Sequence, residues 1–157
     1  MNATQRCTEH VLTTPFASIP DAAVRAAKTF ILDSIGVGVA GARAPFAEEI
    51  RRAAKGWGAA AVSQGAHVWG AGLRLTASSA AFVNGFQIHC QEFDCVHEPA
   101  VVHPMATILA ALMAEAERSK TVSGAELIAA TTLAVDIAAG IGVASKAPIK
   151  FFRPANK

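Results

Sequence analysis

From residue 22 onward, Val24, Ala27, Ile31, Ile35 and Val39 fall three or four positions apart, which predicts a helix with one buried face. Ser18-Ile19-Pro20-Asp21 supplies its start, because proline suits a first turn and an acid there complements the helix dipole. Gly41-Ala42-Arg43-Ala44-Pro45 ends it, and a shorter helix is expected from Pro45 to about Lys55. Gly56-Trp57-Gly58 opens a stretch without clear periodicity, in which Ala66-His67-Val68-Trp69-Gly70 is the one candidate strand. Alanines, Phe82, Phe86 and His89 return to three- and four-residue spacing, predicting a helix over 77–93 despite Gly85. A loop over 94–103 follows, then a helix from Pro104 to about Arg118. Ser123-Gly124-Ala125-Glu126 matches a capping box, and the helix it opens is expected to reach about Ser145. Residues 1–19 read as a lead-in, and Phe151-Phe152-Arg153-Pro154 as part of a tail with no later element to pack against. Five helical segments and almost no strand signal predict an all-α helical bundle.

Composition sharpens this picture in one respect. Hydrophobic residues make up 52 % of the 157 and charged residues only 17 %, more apolar than an ordinary solvated domain. Alanine and glycine supply much of the excess and let helices approach closely. The remaining apolar surface calls for a covering partner, so self-association through exposed apolar helices, as a homodimer, is expected. A net charge of +2, with scattered basic residues, points to neither nucleic acid nor an anionic membrane as partner. No uninterrupted apolar run reaches the ~18 residues of a membrane span, because Asp33, Arg43, Asp136 and Lys146 interrupt the most hydrophobic stretches. The first ten residues lack the basic start and apolar core of a signal peptide. Cys7, Cys90 and Cys95 form neither a disulfide framework nor a C-x-x-C pair, so a cytoplasmic location is expected.

Two patterns invite chemistry. Gly36-Val37-Gly38-Val39-Ala40-Gly41 spells G-x-G-x-x-G, but a dinucleotide site needs a preceding strand and an acid ~20 residues later. The preceding segment is helical and 60–63 reads AAVS, so the run is expected to serve helix packing and no nicotinamide cofactor is implied. The second pattern, HCQEFDCVHEPAVVHP at 89–104, gathers three histidines, three acids and two cysteines. Its spacing matches no recognised zinc pattern, and Pro99 breaks the helix that H-E-x-x-H requires, so no metal is expected. An acid/base pair asks for less. A carboxylate beside a histidine fixes its tautomer and stabilises imidazolium, and Asp94 and His103 flank one loop that can fold back on itself. His103 also precedes a helix start, whose free amides could help bind an anion. His89 is expected to be a hydrogen-bonded core histidine, Cys90 and Cys95 small packing residues, and Glu92 and Glu98 solvated.

The words around this loop resemble a family. Ala80-Ala81-Phe82-Val83-Asn84-Gly85, His89, Phe93-Asp94, His97-Glu98-Pro99 and His103-Pro104 resemble the MmgE/PrpD family, which includes 2-methylcitrate dehydratases and cis-aconitate decarboxylases. Phe30-Ile31-Leu32-Asp33-Ser34-Ile35-Gly36, Val68-Trp69-Gly70 and Gly124-Ala125-Glu126-Leu127-Ile128 fit in the same order. The resemblance implies a cytosolic, often dimeric lyase of small di- or tricarboxylates, working without metal or cofactor. It places the motif aspartate on Asp94 and the motif histidine on His103 as catalytic residues, and His97, Asn84 and Arg153 at the substrate. Two departures stand out: Cys95 replaces the second of two adjacent aspartates, and Phe152-Arg153-Pro154 replaces F-H-P. Arg153 can hold a carboxylate but cannot exchange protons at neutral pH. Family members are considerably longer, so residues 1–157 are expected to be an incomplete N-terminal helical domain. The rest of that domain and an α+β domain would be absent, leaving the piece inactive alone.

Overall fold

The computed structural model describes residues 2–58 and 65–145. They form α1 (Ala3–Thr13), α2 (Asp21–Gly41), α3 (Ala47–Lys55), β1 (Ala66–Val68), β2 (Leu73–Leu75), α4 (Ala77–His89), α5 (Pro104–Ser119) and α6 (Gly124–Ala144). A single 3₁₀ turn, Phe16–Ser18, joins α1 to α2. The architecture is the helical bundle that the periodicities predict, with one small hairpin in addition. Arg153 and the tail around it lie outside the described residues.

Helix α4 is the hub. It packs against α2, α3, α5 and the hairpin, and its buried positions Ser79, Ala80, Val83, Asn84, Gln87 and Ile88 trace one helical face. Ala80 and Val83 join Ala54, Ala66, Val68 and Ala114 in one core cluster. Ile88 meets Ala106, Ala110 and Trp69 in a second. These side chains are small, so the helices lie close and backbone meets backbone. A Cβ on Gly85 would lie 2.9 Å from the Ala106 carbonyl oxygen of α5. Where α2 crosses α4, a Cβ on Gly41 would overlap the Gln87 carbonyl group, and one on Gly38 would press into the Trp69 ring at 2.7 Å. The G-x-G-x-x-G run therefore serves helix packing. The buried Gln87 amide completes the crossing, donating to the carbonyls of Gly38 (3.1 Å) and Trp69 (3.0 Å).

The hairpin pairs Ala66 with Leu75, His67 with Arg74 and Val68 with Leu73, antiparallel. Its turn carries Gly70 and Gly72 at positive φ, conformations that cost glycine little. Strand β1 matches the expected extended segment, whereas β2 has three residues, too few to display alternation. Residues 3–13, expected as a lead-in, form α1. The helix forms because Asn2 and Gln5 make a reciprocal capping box, each side chain bonding the other's backbone N–H at 2.9 Å. His10 then ties α1 to α6 through Asp136 at 3.0 Å.

Helix α6 begins at the predicted capping box, Ser123 with Glu126. By length and composition alone it could cross a membrane, with 11 % of its most apolar window buried. Asp136 interrupts that window and faces His10. Near its far end, a Cβ on Gly142 would lie 2.7 Å from the Ala100 Cβ, so α6 braces the loop between α4 and α5. Leu12, Leu32, Phe46, Phe93 and Ile141 are each more than half exposed.

Candidate active site

Helix α4 stops at His89, a turn earlier than its apolar spacing predicts. After Ile88 there is no further apolar position to bury, and Glu92 turns the chain with φ at 54°, leaving Phe93 75 % exposed. The chain then doubles back. The His97 amide donates to the Val102 carbonyl at 2.9 Å, and the Ala100 amide to that of His97 at 3.2 Å. Val101 completes the turn at φ 49°, a rare state for a β-branched residue that costs about 1–3 kcal/mol. Strain of this kind persists only where the surroundings hold it, here Ala100 wedged on Gly142. The turn delivers His103, directly before the Pro104 that opens α5, to the side of Asp94.

Asp94 is the anchor. Its side chain is fully buried, while those of His89 and His103 are 48 % and 36 % exposed. His89 Nδ1 lies 3.1 and 3.2 Å from the two Asp94 carboxylate oxygens. His103 Nδ1 approaches Oδ2 to 3.3 Å, within ion-pair range but outside hydrogen-bond alignment, and it has no other partner although buried. The two imidazoles meet edge to face with centroids 4.9 Å apart. One buried carboxylate thus orients two rings whose outer edges reach solvent. That arrangement can pass protons to or from a bound molecule.

The structure brings together Asp94 and His103, as the sequence predicts, and adds His89. The expectation that His89 is a core histidine is corrected: it is hydrogen-bonded, but the early end of α4 leaves it at an open edge. Its five-residue separation from Asp94 across a helix end is the one signal that could have shown this. Asn84 and His97 are not in the cluster. Asn84 is buried, its Oδ1 accepting from the Trp69 amide (3.0 Å) and its Nδ2 donating to the His67 carbonyl (2.9 Å); it fastens the hairpin to α4. His97 accepts the Ala100 amide on Nδ1 (3.2 Å), so in its neutral form Nε2 carries the proton. Its ring faces a separate cleft of about 450 Å³ shared with His10, Ile19, Thr132 and Asp136.

Cys95 follows Asp94 directly in the chain. Its thiol pKa is raised above the ordinary value, first by burial, then by the charges of Asp94 and Asp33; backbone amides of Met105 and Cys95 itself pull weakly the other way. A raised pKa means less thiolate at any given pH, and the thiolate is the nucleophile. Iodoacetamide should therefore label Cys95 more slowly than a free cysteine at pH 7.5. Its labelling rate should still be climbing above pH 9, the ordinary thiol value. Asp94→Asn should shift that profile to lower pH, read by peptide mass spectrometry. An unshifted profile would show that Asp94 does not act on the sulfur.

Comparison with known proteins gives the family. The family model for the MmgE/PrpD N-terminal domain matches residues 5–150. Cis-aconitate decarboxylase of Mus musculus is 32 % identical over 123 residues, covering 76 % of this chain and 24 % of the mouse protein. The Homo sapiens enzyme is likewise 32 % identical over 123 residues, covering 76 % of this chain and 25 % of that protein. The Aspergillus terreus enzyme is 32 % identical over 130 residues, 80 % of this chain and 26 % of its own length. The chain spans about a quarter of the length of these relatives. With a match running nearly from end to end of the described helices, the chain belongs to the lyase-like MmgE/PrpD family.

Proposed function

We propose that this chain supplies one wall of a lyase active site that takes small di- or tricarboxylates, with Asp94 and His103 as its proton-handling pair. The observation that carries the reading is the buried Asp94 carboxylate holding two solvent-edged imidazoles. In a decarboxylation, the bond from carbon to a carboxylate breaks, carbon dioxide leaves, and the carbon keeps the electron pair and takes a proton from an imidazolium. In a dehydration, an imidazole removes a proton beside a carboxylate while the departing hydroxyl receives one. Both reactions need one positioned donor or acceptor, worth about 10²–10⁴-fold in rate. His89 is the second ring in that set. His97 and Arg153 are proposed to hold substrate carboxylates once the remaining family elements join the cleft that His97 faces to the cluster; Asn84 fastens the hairpin to α4. The chemistry asks for proton transfer and anion binding, with no cofactor, in the cytoplasm.

The relatives are about three times as long as this chain, so the wall is tested with the other walls supplied. Residues 1–157 co-expressed with the remaining portion of a cis-aconitate decarboxylase should turn over cis-aconitate or a 2-methylcitrate-like acid, followed by product chromatography. A folded, associated pair that turns over neither would sink the reading.

A second reading draws on the exposure of Leu12, Leu32 and Ile141: a helical module that associates with a second copy of itself and performs no chemistry. Light scattering after size exclusion should then give twice the monomer mass of 16.2 kDa. A monomer at ~100 μM removes this reading, since contacts weaker than that fall well short of stable homodimer interfaces.

A further inference from the structure

We propose that His89, Asp94 and His103 form a binding site for a single divalent transition-metal ion of the zinc class. One ligand atom from each of the three lies within 4.8 Å of the others. Both rings converge on one oxygen: Asp94 Oδ2 lies 3.2 Å from His89 Nδ1 and 3.3 Å from His103 Nδ1. Ligands bound at 2.0–2.1 Å around a tetrahedral ion stand roughly 3.3 Å apart. Two edges of such a tetrahedron are already in place, and the exposed His89 ring can turn to close the third.

His103 Nδ1 supplies the second, independent observation. It is buried, it lies beside a carboxylate, and yet it makes no hydrogen bond. A nitrogen that neither donates to Asp94 nor meets another partner is placed to give its lone pair to a third body between them. Among the described residues, the ion pairs of Asp94 are with these two rings alone, so no lysine or arginine competes with an ion for the carboxylate. Two imidazoles and one carboxylate form a borderline donor set suited to zinc, cobalt or nickel rather than to calcium or magnesium, which favour all-oxygen shells. The outer edges of both rings reach solvent, leaving the fourth position for water or an anion. The irregular 89, 94, 103 spacing is no obstacle, because the turn at 97–102 sets where the three side chains meet, not the interval along the chain.

The site does not depend on the lyase reading. Where the cluster does move protons, an ion on Nδ1 keeps either ring from becoming imidazolium, and bound metal shuts that chemistry down.

Cobalt chloride titrated into the purified chain tests the site without substrate. The visible absorption of four-coordinate cobalt should saturate at one ion per chain, and zinc should abolish it. His89→Ala and His103→Ala should each weaken binding by at least roughly 100-fold, since even the outer partners of metal ligands are worth 10–100-fold. His89→Gln, on an exposed side chain, gives the same result if either alanine variant loses its helical circular dichroism. His10→Ala and His67→Ala, which remove the exposed histidines paired with Asp136 and Glu117, should leave the titration unchanged. No tetrahedral band at millimolar cobalt, a band that survives in the folded His89 and His103 variants, or one lost with His10 or His67 overturns the proposal. Failure of the lyase test with a saturable cobalt band would leave this site standing.

Discussion

Gly41→Ala is expected to destabilise the chain by about 3 kcal/mol, the upper part of the range for overpacking a rigid contact. The added methyl would overlap the Gln87 carbonyl oxygen and come within 2.7 Å of its carbonyl carbon, and both are α4 backbone rather than a side chain that could swing away. Relief requires α2 and α4 to separate, which also stretches the Gln87 amide bonds to Gly38 and Trp69. For a chain of this size the melting temperature should fall by roughly 6–12 °C. Gly36→Ala is the control on the same helix. A Cβ there meets nothing within 4 Å, so the gain in helix propensity should raise stability by up to about 1 kcal/mol. Equal melting temperatures for the two variants would mean that the α2–α4 crossing is looser than described.

The second large effect concerns chemistry. In the reconstituted enzyme, His103→Ala and Asp94→Asn should each lower kcat by about 10²–10⁴-fold, the usual worth of a positioned acid or base. His103→Ala removes a ring that exchanges protons. Asp94→Asn keeps the shape but replaces an acceptor of two imidazole contacts by a neutral amide, so it should act through the orientation of both rings. His89→Ala should cost less than His103→Ala if His103 is the donor, and as much or more if the roles are reversed. Turnover unchanged in both Asp94→Asn and His103→Ala, with helical content intact, would remove the cluster from the reaction.

Most of the helical layout is legible in the sequence because burial of one face leaves a period that survives into the fold. The existence of α4 and the capping box at Ser123 are of this kind, although the spacing points to Phe82 and His89, which are exposed, while Val83, Gln87 and Ile88 are the buried positions. The pairing of Asp94 with His103 is legible because both flank one loop. What escapes is set by single backbone turns. The end of α4 at His89 depends on the left-handed Glu92, and the direction of His97 on the strained Val101; neither leaves a mark on hydrophobic spacing. Helix α1 escapes because it buries no residue, so its only sequence signal is the short Asn2-to-Gln5 cap. Asn84 was assigned to substrate from motif likeness, and a motif does not distinguish a residue that touches ligand from one that fastens a hairpin beneath it.

The placement of the cluster on one helix–loop–helix has a consequence for the order in which this chain folds. Joining Asp94 to its two histidines closes intervals of only five and nine residues, whereas the pairing of His10 with Asp136 spans 126. On chain-closure entropy alone the longer contact costs about 2 kcal/mol more. Contacts of short sequence separation also form earliest. The carboxylate and its imidazoles should therefore meet while α1 and α6 are still undocked, so reactive geometry precedes the finished tertiary structure.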